Sequence, residues 1–236
     1  VDHLHSHLHG TLLSIQKDHS SLFPSLGLVI SGGHTNLYEL KTPTDFGLLG
    51  TTTDDACGEC LDKVGKLFGF SYPGGPQIEK FALKGNTKAY QMPHMMRGDK
   101  SLSFSYSGLK THMLYRLQKQ EKEQTNLADL CASFQHEVFS QVIRNFKKAL
   151  KNNSHFKSII VSGGVAANQY FRDLVQKEID LPSFFPEKKY CSDNAAMVAS
   201  YGYYFFKTKS PSQFNPFGNW DIYSRYPFDK MWVDKT

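Results

Sequence analysis

Apolar positions near the start of the chain recur first at helical and then at strand spacing. The helical set is Leu4, Leu8, Leu12 and Ile15. This spacing predicts a first helix over residues 4–15. Short apolar runs predict strands over 26–30, 35–40 and 46–49, and a glycine turn between the first two is typical of a β-hairpin.

The rest of the chain continues the two periodicities. Helices are predicted over 54–68, from Pro76 through Phe81, and over 109–120, 127–150, 166–178 and 194–206. Further strands are predicted over 101–105, 157–161 and 184–185. Asp54 and Asp55 suit the positive end of their helix, and Pro76 suits a first helical position. The alternation of strands with helices predicts a layered α/β protein, whose sheet the hairpin makes mixed.

Two of the predicted strands end in the same Ser-Gly-Gly sequence, at Ser31 and at Ser162. In Ser31-Gly32-Gly33-His34-Thr35, the two glycines have no Cβ atoms, so an anion can approach the backbone closely. Successive backbone amides can then point at the anion, and the hydroxyls of Ser31 and Thr35 add donors. A plain hairpin turn explains the two glycines equally well. The following His-Thr pair favours binding, because a tight turn gains nothing from an imidazole.

The second Ser-Gly-Gly turn joins a buried strand to a helix. Such a turn places a ligand in the crevice at the carboxyl ends of the strands. Asn168, which we expect to lie too far inside the helix to be its cap, presents the donor and acceptor that suit an adenine edge. Asp62 and Glu79 flank a glycine turn, where carboxylates commonly accept hydrogen bonds from ribose; surface ion pairs are the alternative.

Paired histidines near the start indicate a possible metal site. A helix places His3 and His7 on one face, which is the spacing of helical metal ligands. An exposed or accidental histidine-rich run is the alternative, because His5 and His9 lie between and beyond them. A zinc peptidase is disfavoured, since the glutamate of His-Glu-x-x-His is absent. Asp193 directly precedes a predicted helix, which by itself favours a helix cap.

Composition narrows the function classes only modestly. The chain has 236 residues, 40% hydrophobic and 21% charged, with a formal charge of +5. This small basic excess permits a nucleic-acid partner without requiring one. With no apolar run of membrane-span length and no secretory pattern, we expect a cytoplasmic protein with no membrane association. Cys57 and Cys60 lack a second cysteine pair for zinc and follow acidic residues, so we interpret them as buried small side chains.

Seven motifs occur in the order found in the TsaD family, once called O-sialoglycoprotein endopeptidases. They are His3-x-x-x-His7, Ser31-Gly-Gly-His-Thr35, Asp54-Asp-Ala-x-Gly-Glu59 through Asp62-Lys63, Tyr72-Pro-Gly-Gly-Pro76, Phe104-Ser-Tyr-Ser-Gly-Leu-Lys110, Ser162-Gly-Gly-Val-Ala-Ala-Asn168 and Cys191-Ser-Asp-Asn194. The chain resembles this family over essentially its whole length. It departs in the first motif, where His5 adds a competing imidazole.

The resemblance implies an α/β fold of the actin-like ATPase (ASKHA, ribonuclease-H-like) type, with mixed sheets flanked by helices. The first lobe is expected to be largely missing, because the family's initial strand with its phosphate motif has no counterpart here. The implied division is a linking helix with the histidines over 1–25, a main nucleotide-binding lobe over 26–190, and a C-terminal helix and tail over 191–236 that returns toward the missing lobe.

The resemblance also implies an activity: transfer of the threonylcarbamoyl group from threonylcarbamoyl-AMP to the exocyclic amine of the anticodon-adjacent adenosine of tRNA. His3, His7 and Asp193 would bind one divalent metal ion, iron or zinc. Residues 31–35 would cradle the carbamoyl-phosphate region of threonylcarbamoyl-AMP. ATP or ADP is the other nucleotide ligand that the resemblance implies. The remaining contacts to the ribose and purine would come from Asp62, Gly75, Glu79 and Asn168.

The implied partners are tRNA and, in a bacterium, TsaB-like and TsaE-like proteins. Two other functions are consistent with the same fold. A sugar or acetate kinase would not need His3, His7 and Asp193 together. A TsaB-like partner subunit would lack the paired histidines, so this motif favours the transferase.

Overall fold

One five-stranded sheet organises the computed structural model, which describes residues 1–16, 18–119 and 126–208. The strands are β1 (Ser25–Ile30), β2 (Thr35–Thr42), β3 (Asp45–Thr51), β4 (Ser158–Ser162) and β5 (Ser183–Phe184). Their order is β3-β2-β1-β4-β5. β2 is antiparallel to both of its neighbours, whereas β1, β4 and β5 are parallel. The predicted hairpin, mixed sheet and α/β class are confirmed.

Helices cover both faces of this sheet. The described ones are α1 (His3–Leu12), α2 (Cys57–Leu67), α3 (Gly74–Ala82), α4 (Ser107–Lys119), α5 (Leu127–Asn152), α6 (Gln169–Glu178) and α7 (Ala195–Thr208). Short 3-10 helices lie at His19–Leu22, Gly164–Ala167 and Lys188–Tyr190. None of the helices in the described ranges has both the length and the apolar character needed to cross a bilayer. The predicted tail beyond residue 208 lies outside the described residues.

Alternating side chains of the central strands divide the interior into two cores. Leu28 and Ile30 of β1 belong to the larger core, with residues of α2 to α6. Val29, between them, belongs to the smaller core, with residues of α1 and α7. This is the period-two alternation of a strand that is covered on both faces. The first and last described helices therefore pack on the same side of the sheet.

The parallel pairing of β1 with β4 brings the two Ser-Gly-Gly turns to one edge. Val29 is the register partner of Ser162, so both strands end side by side. Gly163 has a φ of +102°, and a Cβ there would lie 2.3 Å from the carbonyl oxygen of Ile30. Glycine is needed here for both its conformation and its size.

Two local predictions were wrong. Residues 101–105 form no strand; Phe104 makes only an isolated bridge with Thr52, while neighbouring polar groups bond to side chains of α5. Asp54 is not at the start of α2, which begins at Cys57. Its carboxylate instead accepts the amides of Tyr106 and Ser107, at 2.7 and 3.1 Å, where α4 begins.

α3 begins two residues earlier than predicted. The helix begins at Gly74, so Pro76 is its third residue rather than its first. Asp62 Oδ1 accepts the amides of Gly74 and Gly75, at 2.8 and 3.1 Å, and so caps this helix from α2. A Cβ on Gly65 would lie 2.7 Å from the Cα of Gly74, so the two helices approach at a pair of glycines.

The interpretation of the Cys-x-x-Cys pair is confirmed. Cys57 and Cys60 are free thiols and fully buried. Burial raises the pKa of Cys60 to about 12, so its reactive thiolate is not populated at neutral pH. Both side chains serve as packing groups of the larger core.

We predict opposite outcomes for two adjacent glycines. Gly163→Ala should lower the free energy of unfolding by about 2–4 kcal/mol, because alanine is strained at positive φ and its Cβ meets Ile30. Gly164→Ala should change it by less than about 0.5 kcal/mol, since nothing lies within 4 Å of a Cβ there. Urea denaturation of the two variants checks this; equal losses would contradict it.

Candidate functional site

Two imidazoles and one carboxylate converge at one end of α1. His7 Nε2 lies 3.1 Å from Asp193 Oδ1, and His3 Nε2 lies 3.6 Å from the same oxygen. One ligand atom from each residue falls within 4.8 Å of the others. Within the described ranges, these are the histidine, cysteine and acidic residues that group as potential metal ligands. The predicted set therefore comes together from both ends of the sequence.

The packing of α1 against α7 explains this juxtaposition. Both helices lie on the smaller core, and Leu8 and Tyr201 contribute to it from either side. Asp193 lies two residues before α7 and is not its cap, contrary to the simplest interpretation. The side chain of Asn194 accepts the amide of Met197 at 2.9 Å instead, which leaves the Asp193 carboxylate directed at α1.

Burial differs sharply within the cluster. The side chain of His7 is 3% exposed, while that of Asp193 is 74% exposed, so the cluster is open on one side. Burial and the neighbouring His3 lower the pKa of His7, and Asp193 raises it by less. The neutral imidazole that metals require is therefore favoured. His7 Nδ1 is buried without a hydrogen-bond partner among the described residues.

The competing imidazole of His5 faces away from the cluster. Its ring stacks on Phe46 with centroids 4.2 Å apart. His9 is fully buried, with its Nε2 2.7 Å from the carbonyl oxygen of Pro43, and burial lowers its pKa to about 4. These two histidines are structural members of the α1–α7 interface. The histidine-rich run thus separates into two groups on two helix faces, one beside Asp193 and one in the α1–α7 interface.

A cleft of about 540 Å³ adjoins the cluster. Five of the predicted ligand-binding residues line it: Gly32, Asp62, Gly75, Glu79 and Asn168. Ser192, the neighbour of Asp193, lines it too. His34 lies near enough to His7 to influence its pKa, which links the first Ser-Gly-Gly turn to the cluster. A volume of this size suits a small organic ligand.

The first Ser-Gly-Gly turn contributes less than predicted. Ser31 Oγ accepts the amides of Gly33 and His34, at 3.3 and 3.1 Å, so these amides are engaged within the turn. Thr35 is fully buried, and its hydroxyl accepts the amide of Cys57 at the start of α2. Of the predicted residues 31–35, Gly32 alone lines the cleft. The other four shape the turn that presents it.

The glycines of the cleft leave open space for a ligand. A Cβ on Gly32 or Gly164 would meet nothing within 4 Å, and neither residue has a positive φ. Conformation and packing therefore do not explain the missing side chains. Gly58 differs: its Cβ would lie 2.7 Å from the Ser31 carbonyl oxygen, so it allows α2 to approach the turn. Side chains at these two positions would occupy part of the open space in the cleft.

Asn168 proved to be a helix cap, contrary to our expectation. Residues Gly164–Ala167 form a 3-10 helix, so α6 begins only at Gln169. Asn168 Oδ1 accepts the Phe171 amide at 2.9 Å, while its Nδ2 donates to Gln135 Oε1 at 3.0 Å. These two bonds hold a nearly buried side chain at the cleft wall. Capping and ligand contact are not mutually exclusive.

Two further residues at the cleft lie outside the recognised motifs. Lys188 lines the cleft, and Gln135 orients Asn168 from α5. Tyr72 also lines the cleft and belongs to the Tyr-Pro-Gly-Gly-Pro motif. Glu79 Oε1 accepts the Gln169 amide at 2.6 Å, which ties α3 to the start of α6. Lys188 lies close before the Cys-Ser-Asp-Asn motif, but so does Lys189, and the sequence does not distinguish the two. Gln135 lies in the apolar helix of α5, where no sequence pattern sets it apart.

Known proteins similar to this chain agree on one family. The family model of TsaD, described as tRNA N6-adenosine threonylcarbamoyltransferase, matches residues 1–200. A Mycoplasma capricolum protein of that name is 40% identical over 210 residues, covering 86% of this chain and 64% of the relative. A Borrelia duttonii protein of the same name is 40% identical over 207 residues, covering 86% and 60%. The chain thus spans less than two thirds of these relatives.

Similar solved structures support the fold. One is HypF of T. kodakarensis, with a TM-score of 0.61 and 14% identity over 88% of this chain and 37% of that one. Another is the activator of the 2-hydroxyisocaproyl-CoA dehydratase from Clostridium difficile with bound ADPNP, with a TM-score of 0.52 and 14% identity over 89% and 70%. At this identity the likeness concerns the fold alone, and the predicted actin-like type is confirmed.

Substitutions of Asn168 should separate its capping from its other contacts. Asn168→Ala removes the oxygen that accepts the Phe171 amide and should lower the free energy of unfolding by about 1–2 kcal/mol. Asn168→Ser keeps a capping oxygen and should lose less than half as much. Chemical denaturation of both variants tests this, and identical losses would show that the cap is unimportant.

Proposed function

This chain belongs to the TsaD family, and on that basis we propose that it carries the metal and nucleotide site of a tRNA N6-adenosine threonylcarbamoyltransferase. The reaction transfers the threonylcarbamoyl group from threonylcarbamoyl-AMP to the exocyclic amine of the adenosine at position 37, in tRNAs that read codons beginning with adenine. The supporting observation is the cluster of His3, His7 and Asp193 beside an open, glycine-lined cleft. The chain spans less than two thirds of the length of the relatives that carry this name, so the activity itself is part of the proposal.

The cleft offers suitable partners for the nucleotide part of the substrate. Gly32 and Gly164 leave backbone uncovered for a phosphate, and the carboxylates of Asp62 and Glu79 can accept hydrogen bonds from ribose hydroxyls. Asn168 lines the cleft with an amide, whose donor and acceptor suit the adenine edge. ATP or ADP would use the same contacts. In the transfer, the adenosine amine bonds to the carbamoyl carbon, AMP leaves with the bridging oxygen, and the amine releases a proton.

The residues of the cluster fit a divalent metal ion. Two imidazoles and a carboxylate are a donor set used for both iron and zinc, and three protein ligands leave positions open. The Asp193 side chain is largely exposed, so the open coordination positions would be accessible from solvent. A bound ion would act as a Lewis acid that polarises an oxygen of the substrate. A same-fold kinase would not need this cluster, and a TsaB-like subunit would lack its paired histidines.

The macromolecular partners are part of the proposal. The small positive charge of the chain is compatible with tRNA, the substrate in the name of the relatives. The relatives are bacterial, which supports TsaB-like and TsaE-like proteins as partners. We further propose a cytoplasmic site of action. The division at residues 25 and 190, including a return of 191–236 toward a first lobe, stays a prediction.

We expect the chain to bind one Zn²⁺ or Fe²⁺ per molecule. Removing a residue that only orients a metal ligand lowers metal affinity about 10–100-fold. Asp193→Asn changes a proposed ligand itself, so it should weaken metal binding at least about tenfold. His155→Ala is the control, because this surface histidine pairs with Glu39 outside the cluster. Metal analysis and competition with a chelator measure the affinities. A metal-free wild type, or an unchanged Asp193→Asn affinity, would refute the metal site.

Transfer activity tests the proposed function directly. Gly32→Val adds a side chain to open space, so the protein should fold normally while the nucleotide is displaced. In the complete protein with its partners, we expect kcat/KM for threonylcarbamoyl-AMP to fall at least about tenfold. His155→Ala again serves as the control. No threonylcarbamoylation of tRNA by the wild type, or full activity of Gly32→Val, would contradict the proposal.

A further inference from the structure

Charged side chains are distributed unevenly around the cleft. Two carboxylates line it, and each is already hydrogen-bonded to backbone amides: Asp62 to the start of α3, and Glu79 to the start of α6. Lys188 is the one cation among the described lining residues. Without Lys188, the only acidic or basic side chains that an anionic ligand would meet among the described lining residues are these two carboxyl groups. A compensating cation is therefore an important feature of the cleft.

Consecutive lysines of the 3-10 helix Lys188–Tyr190 have different surroundings. The ammonium of Lys189 lies 2.8 Å from Glu187 Oε2 and 4.8 Å from the centroid of the Tyr190 ring. The ammonium of Lys188 has no hydrogen bond or ion pair with any residue in the described ranges. The chain thus neutralises one lysine and leaves its neighbour available at the cleft.

The position of Lys188 associates it with the phosphate end of a ligand. Its 3-10 helix packs against α1, since a Cβ on Gly10 would lie 3.1 Å from the Tyr190 carbonyl oxygen. Ser192, four residues on, also lines the cleft and precedes Asp193 of the cluster. Lys188 therefore belongs to the segment that supplies the cluster's carboxylate. Asp62 and Glu79, which suit ribose, are supplied by α2 and α3 instead.

We propose that the Lys188 ammonium binds the phosphate of the nucleotide and so positions threonylcarbamoyl-AMP in the cleft. This rests on the proposed function for the identity of the ligand and extends it to a residue outside the recognised motifs. Charge-assisted contacts to phosphate are among the stronger hydrogen bonds, although an exposed lysine gains less from them. Lys188 is a positioning residue, because it reaches the phosphate rather than the carbamoyl carbon that reacts.

Binding of AMP and adenosine to the full chain separates the phosphate contact from the nucleoside contacts. Isothermal titration should show that Lys188→Gln weakens AMP about fivefold and leaves adenosine unchanged. Lys188→Arg should restore AMP binding, because arginine keeps the charge. Lys189→Gln is the matched control and should bind both ligands like the wild type. The AMP difference between wild type and Lys188→Gln should narrow at high salt.

Each alternative result has a distinct meaning. If wild type and Lys188→Gln bind AMP equally, the inference is wrong while the nucleotide site stands. If Lys188→Gln weakens AMP and adenosine alike, the lysine acts on the fold of the cleft and not on phosphate, which also overturns the inference. If the wild type binds neither ligand, the proposed nucleotide site fails and the inference fails with it.

Discussion

The parallel pairing of β1 with β4 is the constraint on which the site depends. It joins strands that are far apart in sequence and ends them side by side, with Gly163 against the Ile30 carbonyl oxygen. α2 then begins directly on the first turn, where the Gly58 amide donates to the Ser31 carbonyl oxygen at 3.1 Å. The floor and one wall of the cleft are thus set by backbone contacts, and the side chains that line the cleft project from this rigid frame.

The second face of the same sheet supports the cluster of His3, His7 and Asp193. Because successive strand residues point to opposite faces, β1 supports α2 to α6 through Leu28 and α1 with α7 through Val29. Thr11 of α1 donates its hydroxyl to the Val161 carbonyl oxygen at 2.6 Å, which fixes the helix on β4. Cluster and cleft therefore share a strand edge but rest on different cores.

Sequence patterns predicted the regular elements and the grouping of His3, His7 and Asp193 better than the details of the cleft. Long periodic segments such as α5 have a single interpretation, and motif order related His3 and His7 to the distant Asp193. The cap at Asn168 was missed because four residues of 3-10 helix look like the first turn of an α-helix. Lys188 was missed because its significance depends on which neighbouring ammonium finds an acidic partner, and that is decided only by folding.

The cluster joins the first described helix to the segment before the last one. An ion held by His7 and Asp193 would be a reversible crosslink between these distant parts of the chain. Closing so long a loop removes much of the conformational freedom of the unfolded chain, so the ion would resist unfolding as well as serve chemistry. Chelation would then loosen α1 and α7 together, so the docking of the first and last described helices would depend on the bound ion.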